Sequence, residues 1–167
     1  MTEVRKLGPG DAALWRSLRL EALETYPLAF LTTYDEAAAI PLEDIRFGLE
    51  RGHTYAVFLE GQPVGMGTLV PQRRVQTRHR AEIGGLFIQP AAQGQGAADA
   101  LLDALIAEGH AIGAWQLELY VAASNTRAIR FYARHGFMEC GRVPNATLAD
   151  GVAETDLMMI RSAPPGA

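Results

Sequence analysis

The sequence is nearly free of cysteine, and this shortage argues against two classes of protein. Cys140 is the only cysteine in 167 residues, so an intrachain disulfide is excluded. The four histidines do not follow the short ligand spacings typical of zinc sites. Because Cys140 falls in an apolar strand pattern, we expect its side chain to be packed inside the fold. The sequence therefore predicts neither a disulfide framework nor a metal site.

Long apolar runs and an excess of positive charge are also missing. No apolar stretch has the length of a transmembrane helix, and residues 1–6 lack the apolar core of a secretory signal. The formal net charge of −4 argues against nucleic acid as the main partner. The basic cluster from Arg73 to Arg80 is interpreted as the solvated end of a hairpin. We expect a cytoplasmic protein that contacts neither membrane nor nucleic acid.

The residues that are present indicate an ordinary globular domain with an α/β order of elements. The length fits one domain, which we place at residues 1–161, followed by a disordered tail at 162–167. Hydrophobic periodicity and the Gly and Pro positions define the elements. They predict strands near 4–7, 54–59, 64–70, 81–88, 115–121, 137–143 and 152–160, and helices near 11–26, 42–51, 98–112 and 125–136. This order predicts a mixed, partly antiparallel sheet.

The most informative segment is the loop from Ile88 to Ala98, which follows an apolar strand and precedes an amphipathic helix. Gly94 and Gly96 allow a tight turn and a close approach of the backbone to a ligand. The first amides of a helix have no partner inside it, and the helix dipole adds positive potential there. Such a loop can bind a phosphate, although a glycine-containing turn without a ligand has the same composition.

Two other nucleotide-binding loops do not fit this segment. A Walker A loop ends in Gly-Lys-Ser/Thr, whereas Ala97 and Ala98 follow Gly96 here. A dinucleotide fingerprint starting at Gly94 needs a small residue at position 99, which is Asp99. Glu118 lies at the right distance for the ribose-binding acid, but it falls in the middle of a strand.

Two motifs together make the sequence resemble the GNAT acetyltransferase superfamily. Residues Ile88 to Ala98 match the coenzyme motif Val/Ile-x-Pro-x-x-Gln/Arg-x-x-Gly-x-Gly/Ala. Residues Leu117 to Phe137 match a strand followed by Asn-x-x-Ala-x-x-Phe-Tyr-x-x-x-Gly-Phe, at the family's spacing. The segment Pro27 to Phe30 also resembles one seen near the acceptor site of some members.

The resemblance implies an acyl-CoA N-acyltransferase fold, with a central, mostly antiparallel sheet and helices on both faces. It also implies transfer of an acetyl group from acetyl-CoA to a primary amine of a small molecule, peptide or lysine. The amine attacks directly, without a covalent enzyme intermediate and without a metal. The sequence does not determine which amine is the acceptor or whether the acyl group is acetyl or longer. It also does not determine whether the protein forms a homodimer.

Residue roles follow from the same resemblance. The coenzyme arm pairs with the backbone of the strand before the loop and enters a splay between it and the strand near 115–121. The loop amides hold the pyrophosphate, an asparagine binds the arm, and a tyrosine faces the thioester sulfur and protonates the leaving thiolate. The residues in these roles are Leu86, Phe87, Ile88, Gln93, Gly94, Gln95, Gly96, Ala97, Ala98, Asp99, Asn125 and Tyr132.

The sequence offers two alternatives for the general base that deprotonates the acceptor amine. Glu82, at the start of the same strand, is our candidate, and ordered water is the alternative. Some members carry a glutamate five residues before the asparagine, where this sequence has Tyr120, which argues against acetylation of protein N-termini. Residues 93–98 contain no Arg or Lys, so the ribose 3′-phosphate needs a cation elsewhere. Candidates are Arg127, Arg130 and Arg134.

Two functions from other classes remain beside the enzyme. The first is a non-catalytic acyl-CoA-binding or regulatory module on the same fold. The second is a structural partner protein whose site is inactive. The residues of the loop are compatible with all three hypotheses: the enzyme, the binding module and the structural protein.

Overall fold

A computed structural model describes residues 1–166, and Ala167, the last residue of the expected tail, lies outside the described residues. The strands are β1 Thr2–Lys6, β2 Thr54–Leu59, β3 Gln62–Pro71, β4 Arg80–Ile88, β5 Gln116–Ala122, β6 Met138–Ala149 and β7 Val152–Ser162. The helices are α1 Ala12–Thr25, α2 Tyr34–Ala38, α3 Leu42–Leu49, α4 Ala97–Ala111 and α5 Thr126–Arg134.

The seven strands are hydrogen-bonded in the order β1-β2-β3-β4-β5-β7-β6. The pairs β1–β2, β2–β3, β5–β7 and β6–β7 are antiparallel, whereas β4 and β5 are parallel. The expected mixed and mostly antiparallel sheet is therefore confirmed.

The contacts divide the chain into two compact units. Unit 1 contains residues 1–70 and 85–108, and unit 2 contains residues 71–84 and those from 109 onward. Strand β4 passes from unit 2 to unit 1 between Gly84 and Gly85. Gly85 has a φ of +62°, a left-handed conformation that suits glycine. The assignment of residues 1–161 to one domain stays a prediction.

Unit 1 has a core between α1, α3 and the first strands. The tight turn between β2 and β3 consists of Glu60 and Gly61, whose φ values are 48° and 77°. Positive φ at both central residues matches the right-handed twist of a hairpin. Helix α1 ends before Tyr26-Pro27, as the sequence predicts, because a residue before proline avoids helical backbone angles. Buried side chains of this core are Leu7, Ala12, Leu18, Ile45, Leu49, Ala56 and Met66.

Helix α2 is an element that the sequence interpretation lacks. Thr33 caps it: the Glu36 amide donates to the Thr33 hydroxyl at 3.2 Å, and the Thr33 amide donates to the Glu36 carboxylate at 2.8 Å. This reciprocal pair is a capping box, whose signature Thr-x-x-Glu is visible in the sequence.

A half-buried carboxylate, Glu108, fixes the last turns of α4 that belong to unit 1. The Glu108 carboxylate accepts hydrogen bonds from Tyr55 Oη at 2.7 Å and from Lys6 Nζ at 2.9 Å. His53 Nδ1 lies 3.1 Å from the same group. Because the three partners come from β1, β2 and the residue before β2, Glu108 ties α4 to that edge of the sheet.

In unit 2, strand β5 lies between the first half of β4 and β7 and carries buried Leu117 and Leu119. Helix α5 stops before Gly136, whose φ of +86° is that of a left-handed C-terminal residue, as predicted. The prediction that Cys140 is packed is wrong, because Cys140 is exposed. The β6–β7 register shifts between Glu139 and Gly141, which interrupts the in-and-out alternation at this residue.

The start of the expected tail is ordered by backbone pairing. Ser162 is the last residue of β7, and the Ala163 amide donates to the Trp115 carbonyl oxygen at 2.9 Å. Disorder of the following residues stays a prediction. None of the helices formed by residues 1–166 is long and apolar enough to cross a membrane.

Candidate active site

The loop between β4 and α4 has the glycine conformations that an anion-binding turn requires. After a short 3-10 turn at Pro90–Ala92, Gly94 and Gly96 adopt φ values of +76° and +81°. A Cβ at either position would meet no atom within 4 Å, so both glycines border open space. The glycines are thus required by backbone conformation, and the space beside them is free for a ligand.

The loop amides identify where an anion fits. The Gln93 amide is used internally, because it donates to the Pro90 carbonyl oxygen at 3.3 Å. The Gly96 carbonyl oxygen accepts the first bond of α4, from the Ala100 amide at 3.0 Å. Within residues 1–166, no acceptor is assigned to the amides of Gly94, Gln95, Gly96, Ala97 and Ala98. Unpaired donors at a helix N-terminus form an anion-binding site.

Side chains of unit 1 hold this loop in place. Gln93 Nε2 donates to Tyr26 Oη at 2.9 Å, and Gln89 Nε2 donates to Glu21 Oε2 at 2.8 Å. Gln95 Nε2 donates to the Ala91 carbonyl oxygen at 2.8 Å. A loop that is already fixed loses less conformational entropy when it binds a ligand.

The second half of β4 is packed closely on β3. Phe87 and Ile88 are buried, and Leu86 is half-buried. The Gln89 amide donates to the Val64 carbonyl oxygen at 2.8 Å, which fixes the end of the strand. A Cβ at Gly65 would lie 2.4 Å from the Phe87 carbonyl oxygen, so glycine permits this close approach of the two backbones.

In unit 2, Tyr132 lies in an aromatic cluster on α5. Its ring centroid is 5.4 Å from that of Phe131 and 5.9 Å from that of Phe137. The side chain keeps only part of its surface exposed, and burial raises the pKa of Tyr132 to about 12. The phenol is therefore neutral at physiological pH and available as a hydrogen-bond donor.

Asn125 has a structural role that the motif alone does not reveal. Its Oδ1 accepts a hydrogen bond from the Ala128 amide at 3.1 Å and so caps α5. The side-chain NH₂ group is not used by that bond. The candidate cations Arg127, Arg130 and Arg134 are exposed on the same helix.

The candidate base Glu82 faces a second carboxylate. Glu82 on β4 is paired in register with Glu118 on β5, so the two side chains share a face of the sheet. Burial, followed by the charge of Glu118, raises the pKa of Glu82. Arg80 donates to Glu118 through both Nε and Nη2, and this bonding lowers the pKa of Glu118 despite its burial. The Glu118 carboxylate thus stays ionised beside Glu82.

The pairing of Arg80 with Glu118 corrects the interpretation of the basic cluster. Arg80 is not part of a solvated hairpin end, because its guanidinium neutralises the Glu118 side chain, which is only 5% exposed. His79 is also engaged, since its ring stacks on Trp115 with centroids 4.6 Å apart. A charged residue in the middle of a buried strand is the sequence signal for such a partner.

Comparisons with known proteins agree with this fold. The model of the acetyltransferase (GNAT) family matches residues 15–137. The structure is similar to the acetyltransferase of the GNAT family from Streptococcus pneumoniae, with a TM-score of 0.86 and 22% identity over 98% of this chain and 100% of that one. No curated protein sequence matches this chain.

Two further solved structures share the fold. Ribosomal-protein-alanine N-acetyltransferase from Brucella melitensis has a TM-score of 0.83 and 24% identity over 96% of this chain and 99% of that one. A GNAT superfamily phosphinothricin acetyltransferase from Sinorhizobium meliloti, in complex with AcCoA, has a TM-score of 0.81 and 20% identity over 99% and 90% of the two chains. The family model covers well over half of the sequence, and the chain therefore belongs to the GNAT acetyltransferase family.

Proposed function

We propose that this protein transfers an acetyl group from acetyl-CoA to a primary amine of a small molecule, peptide or lysine. The observation that carries the proposal is the row of unpaired amides from Gly94 to Ala98 at the head of α4. Hydrogen bonds to a charged acceptor contribute about 1.5–3 kcal/mol each, so a few of them anchor a diphosphate. The AcCoA complex of the Sinorhizobium meliloti acetyltransferase, which shares the fold, supports this choice of ligand.

The coenzyme arm extends from the loop along the second half of β4. In this proposal the backbone groups of Leu86, Phe87 and Ile88 bind the arm as an additional strand. The amides from Gly94 to Ala98 bind the pyrophosphate, and Gln93 and Asp99 are the loop and helix residues that border this segment. The expected contact of the Gln93 amide with the pyrophosphate is not part of this proposal, because that amide donates to the Pro90 carbonyl oxygen. Asn125 donates its side-chain NH₂ group to the arm, and one of the arginines on α5 binds the 3′-phosphate.

Glu82 is the proposed general base. An alkylammonium acceptor has a pKa near 10.4, so it must lose a proton before its nitrogen attacks the thioester carbonyl carbon. Burial and Glu118 raise the pKa of Glu82, which makes its carboxylate a better proton acceptor. The new C–N bond forms, the C–S bond breaks, and the electron pair leaves on sulfur.

Tyr132 is proposed to face that sulfur. With a pKa of about 12, its phenol is a weaker acid than a thiol of pKa about 8.5 by roughly 5 kcal/mol. Tyr132 therefore stabilises the leaving thiolate chiefly by donating a hydrogen bond, and the thiolate takes its proton from water. The same high pKa is the observation that favours the second candidate, a binding module without catalysis.

The coenzyme site is tested by titration calorimetry with CoA on two matched glycine variants. Gly96→Ala introduces strain at a φ of +81° and places a methyl group where the anion lies, so we expect roughly 10-fold or greater loss of affinity. Gly113→Ala introduces the same strain at a φ of +82°, also in open space, but outside the loop. It should lower the melting temperature equally and leave CoA affinity unchanged. Equal CoA affinities in the two variants would refute the loop assignment.

Catalysis is tested separately from binding with Tyr132→Phe, using thiol release from acetyl-CoA. CoA affinity should persist while the rate of thiol release falls, because only the hydroxyl is removed. If the wild type binds CoA but releases no thiol with any primary amine in a broad panel, the binding module replaces the enzyme.

A further inference from the structure

The candidate site contains a cation that the proposed reaction does not use. Arg19 lies on α1, and its guanidinium packs over the Phe30 ring at 4.9 Å from the centroid. Its Nη1 atom is 3.6 Å from the position that a Cβ on Gly85 would occupy. Arg19 therefore lies against the glycine at which the second half of β4 begins.

No carboxylate within residues 1–166 neutralises the charge of Arg19. Within the part of the chain that the structure describes, its guanidinium is assigned no carboxylate and no hydrogen-bond acceptor, and burial lowers its pKa without an opposing anion. Two other basic residues of unit 1 differ, because Arg5 pairs with Asp11 and Lys6 pairs with Glu108. Desolvating a cation without a partner is costly, and such a cost is typical of a binding site.

The position of Arg19 suits contact with the acceptor rather than with the nucleotide part of the coenzyme. Under the proposed function, the arm runs from the head of α4 along Ile88, Phe87 and Leu86. Its thioester end then reaches Gly85, the residue beside Arg19. The acceptor amine must approach the thioester end of the arm. The Arg19 guanidinium therefore lies close to whatever functional group the acceptor carries beside its amine.

We propose that Arg19 binds the carboxylate of an amino-acid acceptor, whose neighbouring α-amino group is acetylated. A guanidinium offers two parallel N–H donors that match a carboxylate, and the Phe30 ring restricts its orientation. The inference rests on the proposed acetyl transfer and narrows its acceptors to carboxylate-bearing amines. Binding of such an acceptor supplies the anion that Arg19 lacks.

The test compares thiol release with the standard amino acids, each paired with its primary amide. For the best amino acid, the wild type should show kcat/KM roughly 10- to 100-fold above that of the amide, because the amide leaves the guanidinium unpaired. Arg19→Met keeps a long apolar side chain against Phe30 and should reduce this ratio to about 1, whereas Arg19→Lys should retain part of it. The affinity for CoA should not change in either variant.

Arg51→Met is the matched control, since Arg51 also stacks on an aromatic ring, that of Phe47, at 5.9 Å. It should keep the wild-type ratio. Because Arg19 is desolvated without a partner, Arg19→Met should melt no lower than the wild type. A lower melting temperature with equal loss on acids and amides would make Arg19 structural and overturn the proposal.

Besides a wild type that acetylates other amines but no amino acid, three results would also overturn the proposal. They are an unchanged acid-to-amide ratio in Arg19→Met, a loss of CoA affinity in that variant, and a wild type that acetylates amides as well as acids. Failure of the proposed function is distinguishable, because it removes CoA binding or all thiol release. A wild type that binds CoA and acetylates other amines but no amino acid refutes only the role of Arg19.

Discussion

Gly65 and Gly67 on β3 provide a direct test of how rigidly the proposed coenzyme strand is held. A Cβ at Gly65 would lie 2.4 Å from the Phe87 carbonyl oxygen and 2.5 Å from Ile88 Cδ1. The first contact is with backbone, which cannot rotate away. At Gly67 the nearest atom is Leu105 Cδ1 at 2.9 Å, the end of a flexible side chain. The two substitutions to alanine thus differ in what must move.

The expected magnitudes follow from these contacts. Overpacking a close-packed interior costs about 1–3 kcal/mol, and the backbone contact places Gly65→Ala in the upper part of that range. Replacing glycine by alanine returns about 0.4–1 kcal/mol through the unfolded chain. We expect a net loss of about 2 kcal/mol for Gly65→Ala, and a change within about 1 kcal/mol for Gly67→Ala. For a chain of this length, these values correspond to a fall in melting temperature of about 4–8 °C and less than about 4 °C.

Thermal melting and CoA titration together check the reasoning. Gly65→Ala displaces the Phe87 backbone and should weaken CoA binding, whereas Gly67→Ala should bind CoA as the wild type does. If Gly65→Ala melts and binds like the wild type, the spacing of β3 and β4 is not rigid. If Gly67→Ala loses as much stability as Gly65→Ala, flexible side chains are no easier to displace here than backbone.

Three further substitutions test separate contacts. Asn125→Ala removes the cap of α5 and should cost about 1 kcal/mol of stability, measured by denaturant unfolding. Glu108→Gln replaces a carboxylate that accepts from two donors and should cost about 2 kcal/mol, with little change in CoA affinity. Glu118→Gln removes the negative charge beside Glu82 and should move the acidic limb of the pH–rate profile to lower pH, because activity requires ionised Glu82. If the acidic limb of the pH–rate profile of Glu118→Gln is the same as in the wild type, Glu82 is not the base.

Local patterns in the sequence predict most of the elements and the ligand loop. Backbone sterics that act within a few residues explain why α1 ends before Pro27 and why α5 ends before Gly136. They also explain the left-handed conformations of the loop glycines. The segment from Ile88 to Ala98 could be identified because its glycines and its helix are adjacent in sequence. The sequence interpretation does not include the short helix α2, although the capping signature of this helix is equally local.

Contacts between distant residues could not be predicted in the same way. Arg80 and Glu118 lie 38 positions apart, and their pairing depends on the register of two parallel strands. The exposure of Cys140 depends on a register shift against β7, which its own strand does not encode. Among residues 1–166 Arg19 has no ionic partner, and this depends on which side chains from distant segments surround its guanidinium. Each of these features depends on contacts between residues that are distant in sequence. Periodicity within one segment does not predict such contacts.

The perturbed acidities of Glu82 and Tyr132 have opposite consequences for the reaction. Both pKa values are raised by burial, since burial disfavours the charged form of any acid. For Glu82 the rise strengthens the base, provided that the pH stays above its raised pKa. For Tyr132 the rise weakens the acid and keeps the phenol neutral, so its hydrogen bond to the leaving thiolate persists as the pH increases. The proposed mechanism therefore requires activity to increase with pH through the titration of Glu82. It also requires that no loss of activity at high pH be assigned to ionisation of Tyr132 below about pH 12.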